Sequence, residues 1–124
     1  MHEIVIDQSK GLARASLSGV MTMDDRMAVM EALSKPETRA ACPYTIIDLS
    51  GVDTDSDTWE EIEFARSISR FTAAFEGRHT AVIVNPAFLV SSMVCWNLQN
   101  LGIRITDFYT EAEARAWLNE AEAA

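Results

Sequence analysis

The sequence is short of the residues from which disulfide, metal and phosphate sites are built. It has two cysteines, Cys42 and Cys95, two histidines, His2 and His79, and five glycines in 124 residues. The cysteines lie far apart and form neither a CxxC nor a metal-ligand spacing, so they read as small buried side chains in a reducing compartment. The histidines stand at the chain start and just before an apolar run, in no nucleophile or metal motif, and read as polar boundary residues. The glycines are spread singly through turns, which excludes a glycine-rich phosphate cradle after a strand. Residues 1–7 alternate polar and apolar and lack the basic region and long apolar core of an export signal. These absences predict a cytoplasmic chain without catalytic residues, metal or cofactor.

Positive charge is also scarce. Ten basic residues against nineteen acidic ones leave a formal net charge of -9, a field that repels phosphate backbones and anionic membrane surfaces. Nucleic acid is excluded as the expected partner, and basic proteins or neutral ligands fit better. The acids gather in Asp53 to Glu63 and in Glu111 to Glu122. A hydrophobic share of 48% with 23% charged residues matches ordinary globular usage, and this length buries one sizeable core, so residues 1–124 are read as one domain.

The alternation of residues 2–7 resumes from Leu12 to Gly19 across the turn residues Gln8-Ser9-Lys10-Gly11, which predicts an opening β-hairpin. A helix follows, with Thr22 as cap, Asp25 in its first turn, and Met23, Met27, Met30 and Leu33 as its core stripe, ending before Pro36. Tyr44 to Leu49 is a short apolar, β-branched run closed by Ser50-Gly51, as expected of a strand buried on both faces. A second helix starts after the acidic loop, with Phe64, Ile68, Phe71 and Phe75 inward, and stops at Gly77. Thr80 to Val84 is the next strand; Asn85 as cap and Pro86 at the first helical position open a third helix to about Leu101. Ile103 to Phe108 is a strand, and Thr110-Glu111-Ala112-Glu113 opens the last helix. The order β-β-α-β-α-β-α-β-α predicts an α/β domain with one mixed sheet of about five strands and about four helices.

This order resembles the STAS domain, and more narrowly the SpoIIAA-like branch of small free-standing bacterial proteins. The resemblance rests on Thr45-Ile46-Ile47-Asp48-Leu49-Ser50-Gly51-Val52 before an acidic helix start, and on the ending from Ile105-Thr106-Asp107-Phe108-Tyr109 to Trp117-Leu118. It implies a non-catalytic regulatory or scaffold module that binds a protein partner; the competing reading is a carrier or sensor of a small lipophilic ligand. In switched members of the family an Asp-Ser pair begins the helix after the third strand, and Asp55-Ser56 sits near that place, with Trp59 where the family has a small residue and glycine. Asp55, Ser56, Asp57 and Trp59 are the expected partner-binding residues. A phosphate on Ser56 would face Asp53, Asp55 and Asp57 at close range, so the expected surface is constitutively acidic and needs no kinase.

Two further patterns have competing chemical readings. Asp53, Asp55 and Asp57 have the opening spacing of a calcium loop, but Thr58 and Phe64 stand where that loop needs its glycine and its bidentate glutamate, so a solvated capping loop is the better reading. Ala87 to Leu101 contains no charged residue, yet is too short and too polar to span a bilayer. Its residues Phe88, Leu89, Val90, Met93, Trp96 and Leu98 are the expected association or ligand face, with a homodimer as one outcome and core packing as the other.

Overall fold

The computed structural model describes residues 1–54, 63, 66, 74–87 and 90–123. The chain opens with β1 (His2–Asp7) and β2 (Leu12–Val20), an antiparallel hairpin registered with Val5 opposite Arg14. Its turn closes through Lys10 N–H to Asp7 O at 3.2 Å and Gly11 N–H to Gln8 O at 3.2 Å. Gly11 has φ +62, and a Cβ there would lie 3.1 Å from Pro43 Cδ, so both backbone and space call for glycine.

Helix α1 (Met23–Ser34) begins as its sequence predicts, with the Asp25 N–H donating to Thr22 Oγ at 3.1 Å. Its inward stripe is rotated from the expected one. Arg26, Val29, Met30 and Leu33 are buried, whereas Met23 and Met27 are half-exposed. Beyond Lys35 the chain does not go straight to a strand. A short helix α2 (Pro36–Ala41) intervenes with Pro36 in its first turn, where the missing N–H has no intrahelical partner to lose.

Strand β3 (Tyr44–Thr54) runs past the predicted stop at Ser50-Gly51. Register shifts in β2 between Ser16 and Ser18 bring Gly51 opposite Ser18, and a Cβ on Gly51 would lie 3.3 Å from Ser18 Cβ. The glycine thus serves a close strand approach inside the ladder, not a chain reversal. Strand β4 (His79–Ile83), helix α3 (Val90–Asn100), strand β5 (Ile105–Phe108) and helix α4 (Glu111–Ala123) complete the described elements. Two boundaries differ from the sequence expectation. Pro86 is not the first helical residue: Asn85 to Ala87 form a turn of their own, in which Ala87 N–H donates to Asn85 Oδ1 at 3.0 Å. Strand β5 starts at Ile105 because the Ile105 N–H turns back to Ile103 O at 3.0 Å.

The sheet order is β1-β2-β3-β4-β5, antiparallel at the hairpin and parallel thereafter. Right-handed crossovers are the rule between parallel neighbours, and they put the β2–β3 and β4–β5 connections on one face. Accordingly Val29 and Leu33 of α1 and Cys95 and Leu98 of α3 share one core cluster with Ala13, Ala15, Ile47 and Val82 of the sheet. Helix α4 follows the last strand and returns across the other face, where Ala114 and Leu118 pack on Ile46, Ala81 and Ile83. Strands β3 and β4 are therefore covered on both sides. That is why they lack the polar alternation of the hairpin.

Candidate functional site

Because β2 to β5 are parallel, their carboxyl ends lie along one edge of the sheet, the place where open α/β sheets present their loops to ligands and partners. Here that edge carries Val20, Thr54, Asn85, Tyr109 and the caps Thr22 and Thr110. Asn85 fastens it: its amide donates to Val52 O at 3.2 Å while its carbonyl accepts from Ala87 N–H. Thr110 caps α4, accepting from Glu113 N–H at 3.2 Å, and its hydroxyl donates to the Glu113 carboxylate at 3.0 Å. Val20 and Tyr109 are exposed there.

Beside this edge, on the α4 face, a polar cluster joins three elements. Arg14 of β2 donates through Nη2 to Asp48 Oδ2 of β3 and to Glu111 Oε1 of α4, each at 2.6 Å, and through Nη1 to Ser16 Oγ at 2.5 Å. The Ser50 amide and hydroxyl donate to Asp48 Oδ1 at 2.9 and 2.6 Å, and Arg115 Nε donates to Glu111 Oε2 at 3.0 Å. Burial pushes the Asp48 carboxyl up, but the two Ser50 donors and Arg14 outweigh it and hold the group below the usual carboxylate range. Glu111 is held low by Arg14 and then Arg115. Arg14 is held above its ordinary value, first by Glu111. Both carboxylates are thus ionised at neutral pH and engaged with cations, which suits them to pin the start of α4 on the sheet and not to carry protons.

The histidines are separate from this cluster and from each other. His2 Nδ1 lies 2.7 Å from Asp25 Oδ1. His79 packs among rings, edge-on to Trp117 with centroids 5.7 Å apart and 6.1 Å from Tyr44, and burial, then the charge of Arg104, pushes its pKa down. Among the described residues no group of three or more His, Cys, Asp or Glu side chains is arranged to hold a metal ion. No helix among them is long and apolar enough to cross a membrane.

The expected partner-binding residues Asp55, Ser56, Asp57 and Trp59 lie outside the described residues, directly after the end of β3. Phe88 and Leu89 also lie outside them; Val90 and Met93 belong to α3, with side chains outside the description. Trp96 and Leu98, placed together as one face by the sequence reading, are on opposite sides of α3. Trp96 is 63% exposed and Leu98 is 2% exposed, since two residues turn a helix by about 200°. Leu98 is core, packed against the sheet.

The apolar space beneath α1 and α3 is a cavity of about 70 Å³ lined by residues including Leu17, Met30, Ile47, Val82, Cys95 and Leu98. Ligand pockets typically span roughly 300–1,000 Å³, so this cavity is smaller than a typical ligand pocket. The Cys95 thiol at its wall is pushed up to about 12, by burial first and by Asp107 second.

Three residues of consequence were missed by sequence reasoning. Arg26 and Arg78 are buried, and nothing in their neighbourhoods distinguishes them from surface arginines. Arg14 carried a faint signal, lying with Ser16 on the polar side of an alternating strand whose neighbour offers Asp48.

A mixed sheet opening with an antiparallel hairpin, continuing through three parallel strands and covered on both faces, is the STAS-type fold that the sequence resemblance implied. Among solved structures, the chain is similar to an anti-sigma factor antagonist from Mycobacterium paratuberculosis, with a TM-score of 0.61 and 15% identity over 96% of this chain and 95% of that one. No family model and no curated protein matches the sequence. At this identity the likeness is one of fold, and it extends over nearly the full length of both chains.

Proposed function

We propose that this chain is a non-catalytic regulatory or scaffold module that acts in the cytoplasm by binding a protein partner. The observation that carries the reading is the end-to-end fold likeness to an anti-sigma factor antagonist. The cavity beneath α1 and α3, at about 70 Å³, is smaller than a typical ligand pocket, which supports it over a carrier reading that would use this space. The binding edge is Asp55, Ser56, Asp57 and Trp59, at the point where β3 hands the chain to the acidic segment. The net charge of -9 selects a partner with a basic face.

Capture from a lysate of the source cells tests this reading, using the immobilised chain, an Asp55→Lys, Asp57→Lys double variant and a Glu120→Lys control. The expected result is one protein retained in stoichiometric amount by the parent and the control, lost on the double variant, and released by salt. Equal retention by all three overturns the binding edge. A substrate turnover that disappears in His79→Ala overturns the non-catalytic reading.

A further inference from the structure

The outer face of α3 has no place in that reading, and its chemistry is unusual for this chain. From Thr80 to Ile103 the sequence contains no Asp, Glu, Lys, Arg or His, although charged residues make up 23% of the whole. Burial explains the absence for β4, whose residues from Thr80 to Ile83 are covered. It does not explain it for α3, where Trp96, Asn97, Gln99 and Asn100 are exposed and Leu101, just beyond the helix, is 68% exposed. A tryptophan left 63% exposed beside neutral amides and a leucine is the composition of an interface centre, where charge is depleted and aromatics are enriched.

We infer that this face is where a second copy of the chain docks. The charge distribution selects that occupant. A basic partner would find no carboxylate on α3 and would gain nothing from the -9 field at close range, whereas two copies of an acidic chain repel wherever their acids meet and can approach on an uncharged face without that cost. Trp96 lies next to the midpoint of α3 (Val90–Asn100). A two-fold axis there sets two α3 helices antiparallel, with each Trp96 against its counterpart and the exposed amides of Asn97 and Asn100 around them. None of the residues of this contact belongs to the binding edge Asp55, Ser56, Asp57 and Trp59 proposed above.

Sedimentation velocity of the full chain from low to several hundred micromolar, with Trp96→Glu and Trp96→Lys measured alone and mixed, tests the inference. The parent is expected to dimerise. Each variant alone should be monomeric, weakened by roughly tenfold or more as befits loss of an aromatic anchor, with an unchanged circular dichroism spectrum and, at a concentration where the parent is itself monomeric, an unchanged melting temperature, because in the single chain the side chain is largely in water. Mixing the two variants should restore a dimer, since residue 96 then meets the opposite charge across the axis. A parent that stays monomeric throughout, variants that dimerise as well as the parent, or a mixture that does not reassemble overturns the inference. So does a parent that instead floats with neutral phosphatidylcholine vesicles while remaining monomeric. None of these outcomes bears on capture through Asp55 and Asp57, so the two proposals fail separately.

Discussion

Arg78 is 1% exposed and sits where three segments end. Its Nε donates to Cys42 O at 3.0 Å, just ahead of β3, and its Nη1 donates to Leu33 O at 2.6 Å at the end of α1 and to Ala74 O at 2.8 Å. Burial, the largest influence, pushes the guanidinium pKa down, with the charge of Arg39 adding to it; an arginine nevertheless stays protonated. Replacing it by methionine keeps much of the apolar stem and removes the fork. Three hydrogen bonds from a charged donor are worth about 1.5–3 kcal/mol each. Against this stands the cost of keeping one ion out of water, several kcal/mol after relaxation, and Nη2 adds to that cost because it finds no hydrogen-bond partner among the described residues. The difference leaves a net loss of about 2–4 kcal/mol for Arg78→Met. Arg78→Lys should be no better, because a single ammonium cannot span three carbonyls set around a planar fork and still carries the buried charge. Urea unfolding followed by circular dichroism measures both. A parent and Arg78→Met that agree to within about 0.5 kcal/mol, the usual range for a surface change, or an Arg78→Lys that recovers most of the parent's stability, would refute this account of the site.

Two further outcomes follow from the polar cluster and from the cavity wall. Asp48 and Glu111 are held below their ordinary pKa values in the fold, so in acid the native state binds fewer protons than the unfolded chain. Their contribution is complete above about pH 5 and is lost as pH falls through the lowered native values. Urea midpoints should therefore drop on acidification, and less steeply in Arg14→Gln, which lacks the common partner; identical slopes for parent and variant would contradict the assignment. Cys95, pushed up to about 12, and Cys42, also raised by burial, should both be inert to a disulfide reagent at about pH 8 in the native protein and both react once urea unfolds it. Rapid native reaction of either thiol would show that the core around it opens.

Much of this architecture is written in local sequence. The hairpin follows from alternation about Gln8-Ser9-Lys10-Gly11, because one face of an outer strand pair stays in water. The helix starts at Thr22 and Thr110 follow from side chains that can accept the first free N–H groups. The two central strands follow from unbroken β-branched runs, because both their faces are covered. The boundaries that went astray are those where a residue has two uses. Gly51 ends strands in most settings, yet here lies inside one because Ser18 needs its missing side chain. Pro36 ends α1 and also opens α2.

What the tertiary structure alone decided concerns which chemically similar residues become structural and which stay available. Arg14, Arg78 and Arg104 are equivalent in sequence, but one bridges two carboxylates, one is sealed among carbonyls and one is exposed. Trp96 and Leu98 were indistinguishable as apolar positions on an uncharged helix until the phase of α3 against the sheet put one in water and the other in the core. Periodicity ranks positions within a helix only when polar residues mark its outer face, and α3 has no charged residue to mark it. The same absence that hid its orientation in the sequence leaves its outer face able to meet another acidic chain.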